Sequence, residues 1–574
     1  MARLNIAQPP ADIDYLIVGG GSAGCVVASR LSERSDLRVA LIESGPAFTP
    51  SSEPRSIGDI VTRSYLNPGF MWGGLTAVTN GDPDDPQNGP GIPYGQARVL
   101  GGGSSVNGMH AHRGLPGDYD EWGDFGVTGW SWSDILPFYR KVEADQDVDG
   151  PLHGKSGPIT ISRYGDSDLS PFERAIDAEW AKRQLPAIAD LNGLEAAGRF
   201  KVPLSMHDGR RMSTVRAYLT DAVQARPNLF VAGDMSVTRL LVVNGQARGV
   251  EIESEAGPVQ LEARHIVLCA GALLSPTLLQ RSGIGDAEAL RAIGIVPVAN
   301  RSGVGRNLQN HPTVLLAAHL RRRSRLSAAR GPGVSGARYS SGLPGCPEGD
   351  MINTTMGMAP DATERNPLGR HIGALFSIVN KPYSRGEVFP TREGNPKVAF
   401  RMLSDERDLT RLIQGWQGIR TMLTLGEGAA HVDEVFVPMN LGRSDDSLTT
   451  ALLNRLAAAL LDSSAAIRRR IIRRVGLMVE DIPEDGPELR SWIMKLGFPS
   501  YHASGSCRMG REDDPNAVVD SRCRLIGVAN VSVVDASIFP TLMRSGTNLP
   551  AIMAGEKMAA AMLEDNRHAQ AEPL

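Results

Sequence analysis

Apolar and polar positions over residues 13–43 alternate in an order that predicts strand, turn, helix, strand. In DYLIVGGGSAGCVVASRLSE the apolar run Tyr15–Val18 suits a short buried strand, glycines interrupt it, and Ala, Val and Leu then recur at helical spacing. The next apolar run, RVALIE, predicts a second strand ending at Glu43. Two later stretches carry weaker patterns. Segment 448–482, LTTALLNRLAAALLDSSAAIRRRIIRRVGLMVEDI, mixes apolar and arginine residues at helical spacing, which favours packed helices with a solvated basic face over a membrane- or partner-binding one. Segment 319–350 runs from a basic cluster into Gly, Pro and Ser. That is the composition of a mobile loop, either a lid over a substrate entrance or an ordinary surface excursion.

A chain of 574 residues exceeds what one core organises, so two or more domains are expected. Lys+Arg 60 against Asp+Glu 64 gives no global electrostatic footprint for nucleic acid, which leaves a small-molecule partner as the better fit. The opening MARLNIAQPPADIDY lacks the basic-then-apolar pattern of an export signal, and no apolar run is long enough to span a bilayer. A cytoplasmic protein is the expectation. The five cysteines, Cys25, Cys269, Cys346, Cys507 and Cys523, contain no C-x-x-C pair, against a disulfide framework or a zinc knuckle.

Gly19, Gly21 and Gly24 form G-x-G-x-x-G between the predicted strand and helix. The first glycine allows a tight turn, the second lets backbone approach a pyrophosphate, and the third permits close helix–strand packing, with free helix N–H groups facing the phosphates. Glu43 then stands where a carboxylate can bond both ribose hydroxyls and repel a 2′-phosphate, which favours the ADP-ribose moiety of NAD or FAD. A second cluster, ARVLGGGSSVNGMHAHRG (97–114), packs Gly101, Gly102 and Gly103 against Ser104, Ser105 and Asn107, and can lay bare backbone N–H groups along an extended ligand.

This last stretch resembles the first signature of the glucose–methanol–choline (GMC) oxidoreductases, and GALLSPTLLQRSGIG (271–285) resembles the second. GVGRNLQNHP (303–312), LSDERDL (403–409) and the block at 518–559 resemble family segments in family order, nearest to bacterial 5-hydroxymethylfurfural and aryl-alcohol oxidases. The resemblance implies an α/β fold: a discontinuous Rossmann-like FAD-binding domain from 1–155, 205–312 and 495–574, and an α+β substrate domain on an antiparallel sheet from 156–204 and 313–494. It implies FAD, with Gly19, Gly21 and Gly24 at the pyrophosphate and Glu43 at the adenosine ribose. Val237 would meet the adenine through its backbone, and Asp535 and Ala536 the far end of the pyrophosphate and the ribityl chain. Gly102, Gly103 and Asn107 would lie along the isoalloxazine. Some members attach the flavin through a histidine directly before that asparagine; Val106 stands there, so a non-covalent FAD is expected.

Oxidising an alcohol removes a hydride from carbon and a proton from oxygen, and an imidazole suits the proton near neutrality. In FPSYHASGSCRMG (498–510) His502 matches the family's catalytic histidine, and the resemblance implies Asn548 as its partner, orienting the substrate oxygen. A metal role for His502 and Cys507 lacks further ligands at metal-binding spacing. His110, His112 and His311 read as structural, and Tyr501 and LFSIVNKP (375–382) as candidates for specificity. The expected reaction is FAD-dependent oxidation of a primary aryl or furanic alcohol, with O2 or another acceptor taking the electrons. Hydroxynitrile lyase-like, photodecarboxylase-like and pyridoxine- or choline-type chemistry on the same scaffold are the alternatives.

Overall fold

The first apolar run forms strand β1 (Ile13–Val18), and the second forms β2 (Val39–Ile42). Residues 12–571 are described in this computed structural model, apart from 61–62, 82–84, 86–90, 255–256, 327–329, 332, 360–366 and 440–447. The first eleven residues, read above for an export signal, lie outside the described residues. β1 pairs in parallel with β2 on one side and with Val259–Leu268 on the other. Leu229–Ala232 extends the sheet beyond β2, and Val531–Val533 pairs in parallel with the C-terminal half of Val259–Leu268. Three distant parts of the chain therefore meet in one sheet. Its central strands are apolar almost without interruption because both faces are covered.

Helix α1 (Ser22–Leu31) follows the glycine turn. A Cβ on Gly24 would stand 2.1 Å from the Gly19 carbonyl oxygen, so only glycine lets the helix lie this close to the turn. Helix α2 (Gly271–Arg281) leaves the Val259–Leu268 strand, and α3 (Asn548–Ala571) packs along α1.

A second, eight-stranded sheet runs antiparallel in the order Gly476–Met478, Val432–Pro438, Pro312–Leu320, Ile372–Val379, Met351–Met356, Ser335–Tyr339, Gly198–Lys201, with Phe498–Pro499 also pairing to Pro312–Leu320. Strand alternation sorts its residues. Ser377 and Met351 face helix Glu406–Thr424, where a Cβ on Gly415 would meet both side chains. Ile352 and Ile378 face the opposite way and pack with Met109 of the first signature. Two sequence expectations change here. Residues 335–339, read as part of a mobile loop, form an interior strand, because pairing on both edges outweighs a glycine-containing sequence. Residues 327–329 and 332 of that loop lie outside the described residues. Phe498–Pro499, assigned by sequence to the FAD-binding segment, joins the antiparallel sheet. In 448–482 the chain is helical as read, over Leu448–Ser463 and Ala465–Val475, and Arg469 and Arg473 are exposed on a basic face, where they pair with Glu434, Glu480 and Asp481. Among the described residues no helix is long and apolar enough to cross a membrane.

The first signature ends in a buried ionic anchor. Arg113 pairs with Glu143; His153 lies 2.9 Å from Asp190, 3.1 Å from Glu143 and 3.4 Å from Asp145; Arg163 pairs with Asp145 and Asp190. Three cations thus meet three carboxylates, and Arg113 fixes where the chain leaves His110 and His112. Burial opposes the charge on His153, but its carboxylate partners raise its pKa to about 10. A pKa raised above the ordinary 6.5 contributes stability that is fully present below pH 6.5 and is lost as pH rises through about 10. His153→Ala should therefore destabilise the protein by about 3–5 kcal/mol at pH 6, as removal of one member of a buried pair does. Urea unfolding at pH 6 and pH 10 should show the difference from wild type shrinking at the higher pH; a difference that grows with pH would contradict this.

Candidate active site

The two glycine clusters close on each other. α1 begins at Gly21 and the short helix Gly103–Val106 at Gly102, and neither helix start is capped by a side chain. Gly102 has a φ of +51°, and a Cβ there would stand 2.7 Å from the Gly21 Cα. Two uncapped helix starts thus abut, leaving backbone donors that suit phosphate oxygens. Glu43, just past β2, accepts from the N–H groups of Gly20 and Gly45 at 2.9 Å each. Burial pushes its pKa up, and the two N–H groups oppose that. Beside it a cleft is lined by Gly19, Ile42, Ser44, Met235, Val237 and Ala270.

Asp535 spends its carboxylate on the chain itself, accepting from Gly271 N (2.8 Å), Ser275 Oγ (2.6 Å) and Ser537 N (2.8 Å). It therefore ties the start of α2 to the C-terminal block, and Ala536 accepts from Gly505 N in the His502 loop at 3.1 Å. Asn107 Oδ1 accepts from Met109 N and from Arg211 Nη1 at 2.8 Å. Arg211 is fully buried, burial lowers its pKa to about 10, and its Nη2 has no hydrogen-bond partner. Uncapped helix starts, a buried acid beside an apolar cleft and a buried cation behind Asn107 fit an ADP-containing flavin nucleotide laid from Val237 to Asn107.

Two segments far apart in sequence hold His502. Gln309 and Ser504 exchange backbone hydrogen bonds, Ser500 N donates to His311 O, and Asn310 Oδ1 accepts from both His311 N and His502 N at 3.0 Å. Tyr501 is pinned between them with φ +62°, a strained conformation for a bulky residue, its ring against Tyr65 and Tyr94.

His502 Nδ1 lies 2.8 Å from His311 Nδ1, and His311 Nε2 lies 3.1 Å from the Met543 carbonyl oxygen. The protons follow from the partners. A carbonyl can only accept, so His311 Nε2 carries a proton; burial, with the nearby His502, holds this imidazole neutral, so its Nδ1 accepts. His502 must then be the donor at Nδ1. Its remaining lone pair is on Nε2. Burial, and then the neighbouring His110, lower the His502 pKa to about 4, so the ring is neutral at physiological pH.

The sequence reading paired His502 with Asn548, whose side-chain oxygen has a partner within the chain. Asn548 Oδ1 accepts from Ser22 Oγ at 2.7 Å, which ties the start of α3 to the start of α1. The residue facing His502 Nε2 is Gly546, where a Cβ would stand 3.2 Å away. Any larger residue there would press on the lone pair. His311, read as structural, is the residue that sets the protonation of His502. No local signal could reveal this, because the two are 191 positions apart. His110 and His112 stack at 5.3 Å between ring centroids, and both lie within electrostatic reach of His502 or its neighbours. Of the segment 375–382, the alternation turns Phe376 and Ile378 toward this side and Leu375, Ser377 and Val379 away from it.

The chain is 36% identical to 5-(hydroxymethyl)furfural oxidase of Methylovorus sp. (strain MP688), over 96% of this chain and 98% of that protein. It is 31% identical to the oxygen-dependent choline dehydrogenase of Vibrio vulnificus (strain YJ016), over 96% and 94%. Among solved structures it superposes on pyridoxine 4-oxidase from Mesorbium loti with a TM-score of 0.78 at 28% identity, covering 96% and 99%. The GMC oxidoreductase family models match residues 13–313 and 382–555, so the chain belongs to the GMC oxidoreductases, enzymes that bind FAD.

Proposed function

We propose that this enzyme oxidises a primary alcohol, aryl or furanic, to the aldehyde, with His502 as the general base. The observation that carries the reading is the His502 Nδ1–H···Nδ1 His311 hydrogen bond, which leaves Nε2 unprotonated beside a glycine that puts no side chain against it. When bound, FAD supplies the acceptor for the carbinol hydride, and O2 or a second acceptor then takes the electrons. His502 Nε2 accepts the hydroxyl proton, so that alkoxide character develops as the C–H bond breaks. His311 acts through His502: it holds the ring in one tautomer and takes up part of the charge on the imidazolium through Nδ1. Asn310 fixes both backbones. Asn548 Oδ1 accepts from Ser22, which orients the amide so that its Nδ2 can donate to the substrate oxygen, and Arg211 keeps Asn107 in place.

A lyase on this scaffold would also use a histidine, and anaerobic addition of benzyl alcohol separates the two readings: an alcohol oxidoreductase bleaches its flavin. His502→Ala should retain FAD yet slow that bleaching by about 10²–10⁴-fold, the usual contribution of a positioned base; near wild-type rates would sink the assignment. Only protonation of His502 removes the base. The acid limb of the flavin-reduction rate should accordingly lie well below 6.5, toward about 4, with a flat profile through neutrality, whereas a limb at or above 6.5 would contradict the buried neutral ring. His311→Phe should cost roughly ten- to hundredfold, as loss of a partner that orients a functional histidine does, and should move the limb as well as lower the rate. Finally, with Val106 at the position before Asn107, acid precipitation should leave the flavin in the supernatant. A yellow pellet would show a covalent link.

A further inference from the structure

Across the antiparallel sheet, Thr313, Ile378, Ile352 and Arg338 are paired in one row, so their side chains share a face. It is the face that packs on Met109, two residues after Asn107 and directly before His110. Arg338 is 1% exposed, yet among the described residues no carboxylate lies within ion-pairing distance of it. Its Nε and Nη2 donate to the carbonyls of Ala196 and Glu195, and Nη1 has no partner among the described residues. A buried guanidinium whose direct partners are carbonyls, with Asp118, Asp190 and Glu195 acting on it only beyond ion-pairing distance, is costly to hold, and a direct anion would offset that cost. A second, independent feature lies close by. His112 is 8% exposed, its Nε2 has no hydrogen-bond partner, and it lies within electrostatic reach of Arg338 as well as of His502 and His311. A buried polar atom without a partner, beside a buried cation with no direct ion pair among the described residues, marks a place for an acceptor that is not part of the chain.

We propose that Arg338 and His112 form a carboxylate-binding subsite in the substrate cavity, so that the alcohol oxidised here carries a carboxylate away from its reacting carbinol. The inference rests on the alcohol-oxidation reading above and narrows its substrate class. Arg338 Nη1 donates to one carboxylate oxygen and a neutral His112, protonated on Nε2, to the other. Ile352 and Ile378, on the same face, offer an apolar surface between this subsite and His502 for a flat ring. The arrangement also sets the chain apart from relatives named for choline, because a buried guanidinium repels a quaternary ammonium group.

Calorimetric titration of the FAD-loaded protein with benzoate and with benzamide, neither of which can be oxidised as an alcohol, tests the subsite without turnover. Benzoate should bind roughly ten- to hundredfold tighter than benzamide, the range expected for a desolvated charge-assisted contact. Arg338→Met should abolish that difference and leave benzamide affinity nearly unchanged, with Arg338→Lys restoring part of it. If Arg338 merely braces the 195–196 backbone, both ligands lose equally in the methionine variant, and the proposal fails. Equal binding of the two ligands to wild type also overturns it, without recourse to any variant. Failure of the alcohol reading shows separately, as flavin that stays oxidised under anaerobic benzyl alcohol whatever benzoate does.

Discussion

A hydrogen bond between two imidazole nitrogens decides how this site can work. Two such nitrogens cannot both carry protons at 2.8 Å without repulsion, and one must carry one for attraction to exist. The Met543 carbonyl breaks the symmetry by claiming the Nε2 proton of His311. From that single acceptor the remaining protons follow along a line, through His311 to His502, and the line ends in a lone pair facing the glycine at 546. Burial then keeps both rings uncharged, so the tautomer persists through the pH range in which the chain would operate. The rest of the fold serves this alignment. One strand of the antiparallel sheet starts at Pro312, directly after His311, another lies at Phe498–Pro499, just ahead of His502, and the Pro312–Pro499 pairing brings the two rings together.

The nucleotide half of the fold was legible because its chemistry is local. A strand, a glycine turn, a helix and an acid are consecutive in sequence and become consecutive in space, so Gly19 to Glu43 could be read from spacing alone. The substrate half depends on pairings such as Pro312 with Pro499 and Ser335 with Lys201, between strands far apart in sequence, and its register has no local imprint. Residues 335–339 show this: Ser, Gly, Ala and Arg carry little strand preference, and only two flanking strands make them one. The role of His311 was hidden for a related reason: its partner His502 lies 191 positions away, and only the fold brings the two rings together.

Buried charge divides the molecule into parts that are settled and parts that await a ligand. Around His153 every cation has a carboxylate, and the cluster reads as an anchor for the first signature. Arg211 and Arg338 are as deeply buried, yet they rest on carbonyl and amide oxygens alone. Arg211 holds Asn107, and Arg338 lies on the sheet face that packs toward the first signature; carboxylates act on both only beyond ion-pairing distance, so each remains able to meet an anion directly.

Neutron diffraction from a deuterated crystal would place the protons on which this reading depends. The expectation is deuterium on His502 Nδ1, directed at His311 Nδ1, deuterium on His311 Nε2, and none on His502 Nε2 near neutral pH. Deuterium on His502 Nε2 would remove the base from the place assigned to it, and the proposed chemistry with it.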